Sequence, residues 1–137
     1  MIFNKLVRIF KGLKNHKYYV VLDGRANSVT ISKAVYQHIT QKGDRSSTEV
    51  VVFKSNDKNL YCFAMREDFE SLKNTKVACS QLQYNEKYHK IGFRSDLPSV
   101  TAICDSYFCP MDEKVQLLVI PRQTKYGETF YEIQRPH

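Results

Sequence analysis

Residues 18–39 read YYVVLDGRANSVTISKAVYQHI, and a change of period inside this stretch sets the fold class. Tyr18 to Leu22 is a short β-rich run, followed by the turn-forming cluster Asp23-Gly24-Arg25-Ala26-Asn27. Ser28 to Ile31 predicts a second strand. From Ser32 onward the spacing becomes helical, with Val35, Tyr36 and Ile39 on one side and Ser32 placed to cap the helix. Further along, residues 49–53 and 60–65 predict a hairpin joined by the polar residues 55–59. Residues 67–76 predict a short helix that buries Phe69 and Leu72, with acids first and lysines last to complement its dipole.

The second half repeats the theme. Residues 89–93, 99–103, 115–120 and 129–133 read as strands, with turns at 94–98 and at Gly127. An offset of 71 lays Val20 on Ile91, Leu22 on Phe93, and Ser28-Val29-Thr30 on Ser99-Val100-Thr101. Each half is then a β-turn-β-helix-β-hairpin unit too small to bury a core alone, and two copies complete one barrel or sandwich. The expected class is mostly-β α+β, in a single domain over residues 1–137. Its parts are a basic segment at 1–17 and repeat units at 18–76 and 77–137. At the N-terminus, Ile2, Phe3, Leu6, Ile9, Phe10 and Leu13 recur at helical spacing opposite Lys5, Arg8 and Lys11, which predicts an amphipathic helix over residues 1–14.

Leu22-Asp23-Gly24-Arg25, Val29 to Lys33, and the hairpin from Glu49 to Met65 together resemble the swapped-hairpin AbrB-type DNA-binding fold. Two such units in tandem resemble the MraZ family of transcriptional regulators, with Ser99-Val-Thr opening the second copy. The resemblance implies DNA binding through the basic first turn and strand. Arg25 and Lys33 approach DNA on that reading, Lys54 and Lys58 contribute from the hairpin, and Lys5, Arg8 and Lys11 add phosphate contacts. Arg25 or Asn27 would read base edges.

Charge points the same way. The chain has a formal net charge of +7. Residues 1–66 hold 12 Lys/Arg against 4 Asp/Glu, whereas residues 67–137 hold 9 against 10. Such asymmetry favours a polyanionic partner for the first half. A hydrophobic content of 42% excludes a disordered chain, and no apolar run reaches the length of a membrane-spanning helix. Cys62, Cys79, Cys104 and Cys109 form no C-x-x-C pair, so reduced thiols and neither metal nor cofactor are expected. With no apolar signal core at the N-terminus, a cytoplasmic location is expected. No Walker loop, nucleophile elbow, zinc-protease or dinucleotide motif is present. The leading expectation is therefore a non-enzymatic nucleic-acid-binding module. One alternative is an accessory protein that docks on an anionic membrane or a protein partner through residues 1–14, or self-associates. Another is a small metal-independent ribonuclease using Tyr88, His89, Lys90 and Arg94.

Overall fold

Alternating burial along the strands shows how this sequence becomes a sheet: Val20 and Leu22 are wholly buried, while Tyr19, Val21 and Asp23 between them are not. The computed structural model describes residues 7–9, 16–41, 43, 45–73 and 75–136. Strand β1 (Val7–Ile9) precedes the hairpin β2 (Tyr19–Asp23) and β3 (Ser28–Ile31), then helix α1 (Lys33–Thr40) and a second hairpin, β4 (Glu49–Lys54) and β5 (Tyr61–Met65). Two 3₁₀ turns, Arg66–Asp68 and Glu70–Leu72, lead to the short strands β6 (Ser80–Gln81) and β7 (Gln83–Asn85). Strand β8 (Lys90–Arg94), helix α2 (Val100–Ser106), β9 (Lys114–Gln123) and β10 (Thr129–Ile133) follow.

The strands join in the order β6-β4-β5-β10-β9-β2-β3-β8-β7, antiparallel throughout, with β1 alongside β9 in parallel. Strands β6 and β7 are separated only by Leu82, whose N–H donates to the Thr48 carbonyl at 2.8 Å. Because β6 pairs with β4 and β7 with β8, this one stretch bridges the two ends of the path. The sheet is thereby nearly closed into a barrel, which leaves few strand edges unpaired.

Side chains from both halves fill the interior as one cluster. Val29, Ile31 and Phe93 meet Phe63, Met65, Leu117, Val119, Tyr131 and Ile133 there. The Phe63 ring stacks on Tyr131 at 5.2 Å and tilts against Phe93 at 5.4 Å. Val35 and Ile39 of α1, and Val100, Ile103 and Cys104 of α2, bury their helical stripes in the same cluster. Both helices start the same way: Ser32 Oγ accepts from Val35 N–H, and Ser99 Oγ accepts from Ala102 N–H. After α2, the buried Tyr107 hydroxyl donates to the Ile133 carbonyl at 2.6 Å and accepts from Tyr61 N–H at 2.7 Å.

Four expectations need correction. Residues 7–9 are a strand rather than part of a helix; residues 1–6 and 10–15 of the expected helix lie outside the described residues. Residues 99–103 begin a helix, not a strand, because Val100, Ile103 and Cys104 recur at i, i+3 and i+4 and all three are fully buried. The 71-residue offset therefore lays β2 (Tyr19–Asp23) on β8 (Lys90–Arg94) but β3 (Ser28–Ile31) on the start of a helix, so it relates like elements only in part. Finally, the expected helix at 67–76 is two 3₁₀ turns. Phe69 between them is extended, so that its ring reaches Phe53 at 6.1 Å, and the Arg66 guanidinium takes the Leu72 and Thr75 carbonyls. What does recur is an order of elements: hairpin, Ser-capped helix, hairpin, first as β2-β3-α1-β4-β5 and then as β7-β8-α2-β9-β10.

Strands β3 and β8, one from each run, approach closely. A Cβ on Gly92 would run into the Val29 carbonyl and sit 3.0 Å from the Thr30 Cα. Since the obstacle is backbone, Gly92→Ala is expected to cost about 1–3 kcal/mol by overpacking. Urea denaturation would check this, and an unchanged midpoint would show that the seam has slack.

Candidate nucleic-acid interface

The register across β2, β3 and β8 decides which charges meet. Strands β2 and β8 run one way and β3 between them runs the other, with Asp23 opposite Ser28 and Ser28 opposite Arg94. The start of β2, the end of β3 and the start of β8 therefore share one end of the sheet. Tyr19 N–H donates to Ser32 Oγ at 3.3 Å and Ser32 N–H donates to the Tyr19 carbonyl at 3.0 Å, which ties the entry to β2 against the exit from β3. Ile31 lies opposite Ile91. Lys17, Lys33 and Lys90 consequently gather at this end, spread over two strand spacings of roughly 10 Å. Lys87 joins them from the β7–β8 turn, and all four lysines are exposed. Glu86 is the one acid in that turn, and among the described residues none of the four lysines is held in an ion pair.

The outer face of the same strands continues the site. On β8, Phe93 points into the core, so Lys90, Gly92 and Arg94 face outward beside Ser28 and Thr30 of β3. This face carries a lysine at one end, an arginine at the other, and two hydroxyls with bare glycine backbone between them. Arg25 is exposed in the β2–β3 turn near Arg94. That end also holds Asp23, whose Oδ1 accepts from Arg25 and Ala26 N–H, and Asp96. Positive charge is partly offset there by these two carboxylates.

The residues singled out from sequence have different fates. Arg25 and Lys33 lie beyond opposite ends of β3, with about 16 Å of extended chain between Asn27 and Ser32. Asn27 adopts a left-handed φ of 54°, and its side chain is engaged twice: Nδ2 donates to Asp96 Oδ1 at 2.6 Å and Oδ1 accepts from Val100 N–H at 2.8 Å. It thus caps α2 from the other half of the chain, and a base contact would require it to give up both bonds. Lys54 lies over the Tyr61 ring at 5.0 Å, and Lys58 reaches the buried Glu132, which also pairs with Arg122. Both belong to the β4–β5 hairpin, away from the lysine end. Arg8 lies in β1 opposite Val115, and Lys5 and Lys11 lie outside the described residues. Of the ribonuclease cluster, Lys90 and Arg94 share a face, while His89 turns to the other side and meets the Tyr84 hydroxyl with its Nδ1 at 3.1 Å.

Lys90 enters the sequence reading only in the ribonuclease alternative, and Lys87 not at all, because Gln83-Tyr-Asn85 has no apolar alternation to reveal β7. The turn signal at residues 85–89 was the available clue.

Among the described residues, no helix is long and apolar enough to cross a membrane, and no group of His, Cys, Asp or Glu is arranged to hold a metal. None of the four cysteines is in a disulfide, with Cys62, Cys104 and Cys109 buried and Cys79 half-buried. Burial pushes the Cys62 thiol up from 9.0 to about 12 and Cys104 to about 11, and raises the Tyr107 and Tyr131 phenols as well. Above pH 9 the unfolded chain releases these protons while the folded chain retains them. Stability is therefore full below pH 9 and falls as pH rises toward 11–12. Urea midpoints measured from pH 8 upward are expected to follow this decline, and Cys62→Ala to flatten it. A thiol reagent at pH 8 is expected to modify Cys79 first and the other three only on unfolding; rapid reaction of all four would contradict the burial.

Compared with family models, curated proteins and solved structures, the chain matches none.

Proposed function

We propose that this protein is a non-enzymatic nucleic-acid-binding module, and that its contacts to phosphate come from the end of the sheet where β2 begins, β3 ends and β8 begins. The observation that carries this reading is the convergence of Lys17, Lys33, Lys87 and Lys90, all exposed and, among the described residues, none of them held in an ion pair. Like charges repel, and folding alone gives no reason to collect them. Arg94 and Arg25 extend the contact along the outer face of β8 and the neighbouring turn, with the hydroxyls of Ser28 and Thr30 as further donors to phosphate oxygen. The recurrence of hairpin, Ser-capped helix and hairpin supports the reading of the chain as two related units of the swapped-hairpin, AbrB-like kind. On that reading each half lends one hairpin to a shared binding face.

Phosphate neutralisation makes affinity depend steeply on salt. If four phosphates are neutralised, binding is expected to weaken roughly 50- to 150-fold between 50 and 200 mM salt. Fluorescence anisotropy with labelled DNA and RNA, as duplex and as single strand, measures this. The triple variant Lys17→Glu, Lys33→Glu, Lys90→Glu is expected to lose binding, whereas Lys125→Glu in the β9–β10 turn is expected to behave as wild type. Absence of binding to every form at 50 mM salt would sink the proposal. Binding to anionic vesicles that disappears on removal of residues 1–14 would put membrane docking in its place.

A further inference from the structure

The tip of the β7–β8 hairpin combines exposed rings with positive charge. Tyr84 and Tyr88 leave 54% and 58% of their surfaces open to solvent. Lys87 lies 5.3 Å from the centre of the Tyr88 ring, and Lys90 follows on β8. The tip is also held in shape. Asn85 Oδ1 accepts from Tyr88 N–H at 3.3 Å, His89 N–H donates to the Glu86 carbonyl at 3.4 Å, and His89 takes a left-handed φ of 51° with its ring against the Tyr84 hydroxyl. Tyr84 pairs with Ile91 in the ladder, so it lies on the opposite side of the ribbon from Lys90, and the rings and lysines surround the tip.

From this we infer that the β7–β8 tip is a stacking element for unpaired bases, which makes the module bind single-stranded nucleic acid in preference to duplex. The inference rests on the proposed nucleic-acid binding and names its substrate class. Two exposed rings on a hydrogen-bonded turn accept bases of any sequence, and the adjoining Lys87, Lys90, Lys17 and Lys33 track the backbone of the same strand. Duplex DNA presents its phosphates to those lysines equally well, but its bases are stacked on one another and leave nothing for Tyr84 and Tyr88 to cover. The charge at the tip fits this partner: residues 83–94 hold three Lys/Arg and one acid.

The experiment uses the full chain at low salt, with labelled oligothymidylate and a duplex of equal length. The wild type is expected to bind oligothymidylate more tightly than duplex. The double variant Tyr84→Ala, Tyr88→Ala is expected to weaken oligothymidylate binding roughly fivefold or more while leaving duplex binding unchanged. Tyr88→Phe, which keeps the ring, is expected to retain most of the affinity. The chain has nine Tyr and no Trp, so quenching of its intrinsic fluorescence by oligothymidylate reports the stacking directly. Thermal melting of the variants confirms that these exposed side chains do not support the fold. Duplex binding with no single-strand preference, or tyrosine variants that behave as wild type, would overturn this inference and leave the nucleic-acid reading standing. No binding to either probe would remove both.

Discussion

Thr30 on β3 stands opposite Gly92 on β8, at an approach that leaves no room for a Cβ on the glycine. The rest of the structure depends on this seam. Strand β3 comes from the first hairpin–helix–hairpin run and β8 from the second, and their pairing places Val29 and Phe93 in one core. The same register sets Ile31 opposite Ile91, and so brings Lys33 and Lys90 to the same end of the sheet. A slip by one residue would turn Lys90 and Arg94 inward and Phe93 outward. Charge placement on the outer face is thus a consequence of core packing behind it.

The two runs are locked together at a second place. Asn27, at the end of the first turn, caps α2 through Val100 N–H and receives Ser95 N–H on its carbonyl. Gly24 in that turn lies so close to the Met111 carbonyl that a Cβ would sit 2.6 Å from it. The turn that the sequence presents as a DNA-reading loop is therefore largely a clamp between halves, with Arg25 as its outward-facing member. Tyr107 performs a similar service farther along, joining the end of α2 to the backbone of β5 and to the end of β10.

Much of the first half was legible from sequence. Strands β2 and β3, helix α1 and the β4–β5 hairpin announce themselves by clean changes of period, and Ser32 caps the predicted helix. The second half was harder for a physical reason. Val100, Thr101 and Ile103 are β-branched and favour strands, yet burial of Val100, Ile103 and Cys104 along one helical stripe overrides that preference. Strand β7 was hidden because all three of its residues are exposed and only its ladder to β8 defines it. Of the candidate site, the lysines were visible as charges but not as neighbours. Lys17, Lys33 and Lys90 are far apart in the chain, and only the β2–β3–β8 order unites them.

The proposed site for nucleic acid is this shared end of three strands. An amide-resolved NMR titration of the full chain with an oligonucleotide would locate the contact. Shifts are expected to concentrate at Lys17, Lys33, the 86–90 turn and Arg94, with the β4–β5 and β9–β10 turns unmoved. Shifts centred on residues 55–60 or 124–128, with the lysine end silent, would contradict it.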